Sequence, residues 1–259
     1  MSGREIWTDQ PRTPRLASTM NKPPVTEQWF RNWANEYDQT LGKVKRHHRL
    51  LDLAVRASKV KAGEQVLDLG CGTGLLSLKL LRAADCHVVG ADSSAAMLDI
   101  FRGKIGELGL EGKVTLKQAD ARSLRFPKGS FDIVASTVTL HHVIDKAAVI
   151  KTIHRLLKPK GRFILGDLDV DAYGKLTDGK RIAQVMDYLK AELLLAAKDG
   201  GEPALRRMFE NGRKHLFNDG EYCVGFAKRT RFCHAAGFKR VKVLGLPGFK
   251  WFKVLVATN

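Results

Sequence analysis

The sequence predicts an α/β fold, a parallel sheet covered by helices, and three observations carry the prediction. Strand-like and helix-like segments alternate from residue 60 onward, the order in which parallel strands acquire crossover helices. The run QVLDLG (Gln65–Gly70) is short, apolar and closed by glycine, and GLLSLKLLRAA (Gly74–Ala84) repeats leucine at helical spacing behind it. The third is size: 259 residues that are 44% hydrophobic can bury one substantial core.

The remaining elements follow in order. CHVVGAD (Cys86–Asp92) reads as a second strand, and SSAAMLDIFRGKIGEL (Ser93–Leu108) as a helix that Ser93 or Ser94 can cap. KVTLKQAD (Lys113–Asp120) and FDIVAST (Phe131–Thr137) read as strands three and four. The stretch Asp145–Gly161 is a helix capped by Asp145 and stopped before Pro159, and RFILGDLD (Arg162–Asp169) is strand five. From Tyr173 to about Phe217 the pattern is helical, with Ile182, Val185, Met186, Leu189 and Leu193 on one face. Gly220–Phe238 predicts another helix, and KRVKVLGL and KWFKVLVAT, parted by PGF, a closing pair of strands. Ahead of the sheet, Val25–Ala57 is helical. The expected organisation is a flexible arm over 1–25 and one domain over 26–259. Within it, 26–60 is a helical cap, 61–169 the core, 170–218 a helical insertion, and 219–259 the closing helix and strands. Cap and insertion are not needed by the sheet, so they are expected to form a lid over a substrate.

Composition narrows the function. No run of 18 or more apolar residues exists, which speaks against a membrane span. The first 25 residues hold Glu5, Asp9 and four prolines but no apolar core, unlike a secretory signal. Cys71, Cys86, Cys223 and Cys233 lie far apart without C-x-x-C spacing, so neither a metal site nor a disulfide framework is expected, and a reducing cytoplasm is the simple setting. Lys+Arg 44 against Asp+Glu 27 leaves a net charge of +17, which invites a nucleic-acid partner. The excess lies outside the glycine-loop segment, since residues 50–120 carry nine basic and nine acidic residues. A basic solvated surface accounts for that distribution as well.

The glycines of VLDLGCGTG (Val66–Gly74) fit neither common phosphate-binding loop. They fall at Gly70, Gly72 and Gly74, with Leu75 where a dinucleotide motif needs its third glycine, and no Lys-Ser/Thr follows as a P-loop requires. Three carboxylates are spaced to end successive strands: Asp68 just before the loop, Asp92 and Asp120. In an open parallel sheet the ligand lies outside the carboxyl ends of the strands. Asp92 falls where an acid binds ribose hydroxyls. Asp68 would repel a pyrophosphate but suits an amino group. A nucleoside joined to a zwitterionic amino acid, S-adenosylmethionine, satisfies all of these.

From Val66 to Asp169 the chain resembles class I S-adenosylmethionine-dependent methyltransferases, through VLDLGCGTG, VVGADSSAAML, LKQADARSLRFPKGSFDIV, STVTLHHV and LLKPKGRFILGD in that order. The resemblance implies a Rossmann-like sheet, mostly parallel with the last strand antiparallel, with N-terminal helices and a helical lid insertion. It implies Gly70, Gly72 and Gly74 at the methionine part with Asp68 near its amino group, Asp92 on the ribose, and Asp120 with the Ala121 backbone on the adenine. Met97 would pack on the adenine, Ser136 would sit near the methionine end, and Cys71 and Ser93 count among the cofactor's neighbours. Tyr37 in NEYD resembles an aromatic residue placed over the cofactor from an N-terminal helix. Lys160 departs from the family, where glycine is more usual.

Methyl transfer to an alcohol or phenol needs a base beside the methyl. TLHHV places His141 and His142 after strand four, and Asp167 ends the neighbouring strand on the same edge. A histidine held by a carboxylate suits the task, and His141 is the expected base, with one of the two facing the substrate. The spacing also resembles small-molecule O-methyltransferases of the superfamily. KRHHR (Lys45–Arg49) reads as a solvated helix face, and Cys233–His234 as packing. The leading expectation is methylation of a small molecule at oxygen, yielding S-adenosylhomocysteine. The alternatives are an RNA methyltransferase, suggested by KRTRF and FKWFKV, and a cofactor-binding protein without catalysis.

Overall fold

A computed structural model describes residues 25–259. Apart from Val25, the arm expected over 1–25 lies outside the described residues. The chain opens with α1 (Val25–Tyr37) and α2 (Lys45–Ser58) and then enters the alternating core. That core runs β1 (Gln65–Leu69), α3 (Leu75–Ala83), β2 (His87–Asp92), α4 (Ala95–Glu107), β3 (Val114–Gln118), β4 (Phe131–Thr137), α5 (Lys146–Leu156) and β5 (Leu157–Leu168). It closes with α6 (Gly179–Phe217), α7 (Phe226–Ala236), β6 (Arg240–Leu246) and β7 (Phe249–Thr258).

The seven strands form one sheet in the order β3-β2-β1-β4-β5-β7-β6. β1 pairs in parallel with β2 and β4, whereas β7 lies antiparallel between β5 and β6. The order reverses at β1 and β4, so the carboxyl ends of these central strands open a crevice. Successive strand residues supply opposite faces of the sheet. Val66, Ile133 and Ile164 enter one core with Leu50, Leu51 and Leu80, while Leu67, Val134 and Phe163 enter the other with Ile150, Ile153 and Phe226.

Local chemistry fixes the helix ends. Ser94 Oγ accepts from Met97 N at 3.4 Å and Asp145 Oδ1 from Ala148 N at 2.9 Å, capping α4 and α5. The helix expected from Gly220 begins only at Phe226. The reason is remote in sequence: Asp171 Oδ1 accepts from Gly225 N at 3.0 Å and Asp169 Oδ1 from Phe226 N at 2.7 Å. These two carboxylates hold the residues before α7 extended.

α6 is two helices joined at Gly201 (φ 64), two residues ahead of Pro203. Its apolar residues divide: Val185, Tyr188 and Leu189 join the core with Phe252 and Val254, whereas Met186, expected on the same face, is exposed because that face only partly meets the sheet. Ala196, Ala204 and Met208 close over Val44, and Arg46 of α2 forms a buried ion pair with Glu192. Arg207 reaches Glu36 of α1 at 2.7 Å. The insertion therefore braces α1 and α2 rather than reaching the central crevice.

Candidate active site

The crevice at the carboxyl ends of β1, β2 and β4 is a cavity of about 310 Å³, and α1 and α2 roof it through Phe30, Tyr37, His47 and Leu51. No described residue of 170–218 lines it, which corrects the lid expected there. The KRHHR stretch is likewise not a solvated face: Arg46 and His47 are buried, with the Arg46 guanidinium 4.0 Å over the Phe252 ring. Burial, with Arg46 adding, lowers the His47 pKa to about 3, so a neutral imidazole faces the cavity.

The glycine loop does two different jobs. A Cβ on Gly74 (φ 85) would lie 2.2 Å from Phe101, so this glycine lets α4 pack against the loop and does not line the cavity. Gly72 (φ 52) has nothing within 4 Å of its Cβ direction and lines the cavity with Gly70, Cys71 and Thr73. The loop's bare backbone is thus open to a ligand at Gly72.

Carboxylates surround that opening. Asp92 accepts from Gly72 N at 2.8 Å and from Ser94 N at 2.9 Å, so it shapes the loop as well as lining the cavity. Burial raises its pKa against those hydrogen bonds. Asp68 accepts from Ser77 Oγ at 2.6 Å, and burial, with Asp92 adding and Ser77 opposing, pushes its pKa up to about 7. Asp120 is gripped by the Arg122 guanidinium, with Nε at 2.9 Å from Oδ1, and this hydrogen bonding holds it below the usual carboxylate range. Ser93, Met97 and Ala121 complete this half, and burial of Tyr37 in the roof raises its pKa to about 12. Asp38, next to Tyr37, accepts from Thr73 Oγ1 at 2.7 Å and pairs with Lys104 of α4, latching the roof to the glycine loop.

The other half is built by the segment after β4. Thr137, Val138, Thr139, His142, Val143 and Ile144 line it, and Tyr222 closes it. Val138 stands at φ 51, a region in which β-branched residues are strained. Ser136 is absent from the cavity: it is fully buried one residue earlier, and its Oγ donates to Leu69 O at 2.8 Å between the strands. The two histidines are also reversed from expectation. His142 faces the cavity, its Nδ1 donating to Gly220 O at 3.1 Å and its ring edge-on to Phe30 at 5.2 Å. His141 points behind the wall, 2% exposed, with Nδ1 donating to Asp167 Oδ1 at 2.7 Å. Asp167 is itself wholly buried and 3.2 Å from Arg229 Nη2. Burial opposes its ionisation, but Arg229 and His141 hold it well below the usual carboxylate range. Burial likewise opposes the charge on His141, and Asp167 and Glu221 outweigh it, raising its pKa.

Sequence reasoning thus found the floor of the cavity, Tyr37 of its roof and His142 of its far wall, and missed the residues around them. Phe30, His47, Leu51, Thr139 and Tyr222 carry no local motif, and beyond Tyr37 in NEYD an amphipathic α2 was the available signal for the roof.

An acidic cleft with an exposed glycine loop at the switch point of a parallel sheet defines a protein that binds a nucleoside bearing positive charge. Residues 66–161 match the family described as a methyltransferase domain. The chain is 32% identical over 139 residues to the 27-O-demethylrifamycin SV methyltransferase of Amycolatopsis mediterranei, covering 53% of this chain and 51% of that protein. It is 31% identical over 198 residues to the ubiquinone/menaquinone biosynthesis C-methyltransferase UbiE of Cronobacter sakazakii, covering 75% of this chain and 78% of the relative. Several other relatives of this kind match over about half their own length. Among solved structures, phosphoethanolamine N-methyltransferase 2 of Haemonchus contortus superposes with a TM-score of 0.64 at 16% identity, over 90% of this chain and 58% of that one. A methyltransferase from Aquifex aeolicus gives 0.56 at 14% identity, over 89% and 97%. The chain belongs to the class I S-adenosylmethionine-dependent methyltransferases, and S-adenosylmethionine is its cofactor.

Proposed function

We propose that the chain methylates a hydroxyl oxygen of a small, largely apolar acceptor, with His142 taking the proton. The observation that carries this reading is one roofed cavity that runs from Gly72 and Asp92 to His142 and Tyr222. At the first end, Asp68 is placed for the ammonium, Asp92 for the ribose hydroxyls, and Met97 with Asp120 and Ala121 for the adenine. Asp92 and Asp120 are already hydrogen-bonded, yet a carboxylate has about four lone-pair sites, so both can accept more. S-adenosylmethionine supplies an electrophilic methyl on a sulfonium. The protein's part is to hold the acceptor in line with that methyl, which alone can supply much of the rate.

At the second end the apolar walls Phe30, Val143 and Ile144 suit an organic molecule. His142 Nδ1 donates to a carbonyl, which leaves Nε2 with the free lone pair. Glu221 Oε2, 3.4 Å from the same Nδ1, favours that tautomer further. The two relatives, a 27-O-demethylrifamycin SV methyltransferase and a ubiquinone/menaquinone biosynthesis C-methyltransferase, support a small organic acceptor.

The test is transfer of labelled methyl from S-adenosylmethionine into a cell extract separated into small-molecule and RNA fractions. Nuclease-resistant label in the small-molecule fraction is expected. Label in RNA that nuclease releases would replace this reading with one in which the +17 charge binds the substrate. On the identified acceptor, His142→Ala is expected to lower kcat about 10²–10⁴-fold with unchanged cofactor affinity. A matching loss of cofactor affinity would remove His142 from the role.

A further inference from the structure

Behind the acceptor wall lies a cluster that the methyl-transfer reading touches only through the contact of Glu221 with His142. His141 comes from the turn after β4, His215 from the last turn of α6, and Glu221 and Cys223 from the extended segment before α7. All four are buried: none is more than 2% exposed. Glu221 and Cys223 are two apart in an extended chain, so their side chains leave on the same side.

We propose that His215, Glu221 and Cys223, completed by His141, form a structural binding site for a divalent metal of the zinc class. One ligand atom from each of His215, Glu221 and Cys223 lies within 4.8 Å of the others. Cys223 Sγ is 3.5 Å and Glu221 Oε2 3.8 Å from His215 Nδ1, and His141 Nε2 is 3.3 Å from the same Glu221 oxygen. Ligand atoms around tetrahedral zinc are separated by about 3.3–3.6 Å, given bonds near 2.0–2.3 Å. The contacts of His215 are already close to that spacing, whereas His141 joins the group through Glu221 alone and would close on His215 and Cys223 as the fourth ligand.

Two features distinguish this group from a chance meeting of polar residues. Glu221 Oε2 is a buried carboxylate oxygen with no hydrogen-bond partner, and it is the atom on which His141, His142 and His215 converge. Such an orphan costs free energy unless a proton or a cation satisfies it. The second is the support of His141. Its Nδ1–H is held by Asp167, the carboxylate–histidine arrangement that presents the other ring nitrogen to a metal. Charges also balance, because a thiolate and a carboxylate neutralise a divalent cation while Arg229 answers Asp167. Binding releases the Cys223 thiol proton and any proton held between His141 and Glu221.

The four protein ligands and their burial leave no open position for substrate, so the metal would be structural rather than catalytic. Its neighbours in sequence, His142 and Tyr222, line the cavity, and the site would hold that wall in place. The absence of C-x-x-C spacing concealed it, since three elements supply the ligands.

The untagged full chain, purified without chelator, is analysed for metal by plasma mass spectrometry. It is then stripped with a chelator and titrated with Zn²⁺ while its thermal unfolding is followed. About one zinc per chain and a Tm that rises on Zn²⁺ addition are expected. Cobalt substitution should give a thiolate charge-transfer band that Cys223→Ser abolishes, and His215→Gln should weaken zinc binding at least tenfold. A wild-type chain that binds S-adenosylmethionine yet holds no zinc and shows no Zn²⁺-dependent Tm overturns the proposal while leaving the methyltransferase reading intact. Zinc retained equally by both variants overturns it too. The wild-type measurements do not depend on any variant folding.

Discussion

If Asp68 receives the cofactor's ammonium as proposed, a single buried carboxyl couples cofactor binding to pH. Its pKa of about 7 means that it is protonated in the free protein below neutrality, where it cannot pair with an ammonium. Cofactor affinity should fall about tenfold per pH unit below 7. It should fall again above about 8, where the ligand's own α-amino group loses its proton. Calorimetric titration across pH 5.5–9 tests this, and Asp68→Asn should flatten the acid limb. Linkage adds a second, opposite readout. A carboxyl raised from its ordinary 3.8 contributes stability that is present below that value and lost as pH rises through about 7. Asp68→Asn should therefore be more stable than wild type at pH 8 while binding cofactor worse; a variant weaker in both respects would contradict the assignment. The two nearby glycines separate in the same way. Gly74→Ala places a methyl in Phe101 at positive φ and should cost about 2–4 kcal/mol of stability. Gly72→Ala meets open space, should cost about 1–2 kcal/mol, and should lower cofactor affinity at least tenfold by filling the cradle. Denaturant melts and cofactor titrations of both variants make the comparison. These residues were legible because strand, loop and acid adjoin in sequence. The choice between His141 and His142 was not, because Asp167, Arg229 and Glu221 decide which ring turns inward.

Among the elements, α1 is joined to the core by a small polar latch. Thr73 donates to Asp38 at 2.7 Å and Lys104 pairs with the other oxygen, so the roof closes on the glycine loop. Partly exposed pairs of this kind contribute up to about 1 kcal/mol, or about a fivefold factor. Asp38→Ala should speed cofactor dissociation about fivefold in stopped flow, with Tm nearly unchanged. An unchanged dissociation rate would mean that the roof does not gate exit. Element types along the core were readable because each strand and helix carries its own period. The start of α7 was not, since Asp169 and Asp171 cap it from another part of the chain. Nor was the use of α6, whose apolar face reads equally as lid or brace until Val44, Arg46 and Glu36 are seen against it.

For the whole molecule the question is where +17 goes when the cavity is acidic. Part of it lies along the sheet margins. β3 and β6 are the two edge strands, and an edge with free backbone groups invites pairing with another chain. β6 and its approach carry Lys239, Arg240 and Lys242, all exposed, while Lys113 precedes β3 and Lys117 lies within it. Basic side chains on an edge oppose a second edge brought beside them, because like charges and their desolvation both resist pairing. The sequence pattern KRVKV showed the alternation; that β6 is an edge follows from β7 inserting between it and β5. The paired substitutions Arg240→Thr and Lys242→Val keep a strand-forming composition on an exposed face. They should leave the fold and cofactor affinity intact while promoting self-association at tens of micromolar, detectable by light scattering. In wild type, raising salt should push in the same direction as the charges are screened. If the double variant scatters as wild type does at every concentration and salt, the edge charges are not what keeps copies apart. The basic excess would then need a ligand of opposite sign, which returns the nucleic-acid partner to the methylation assay.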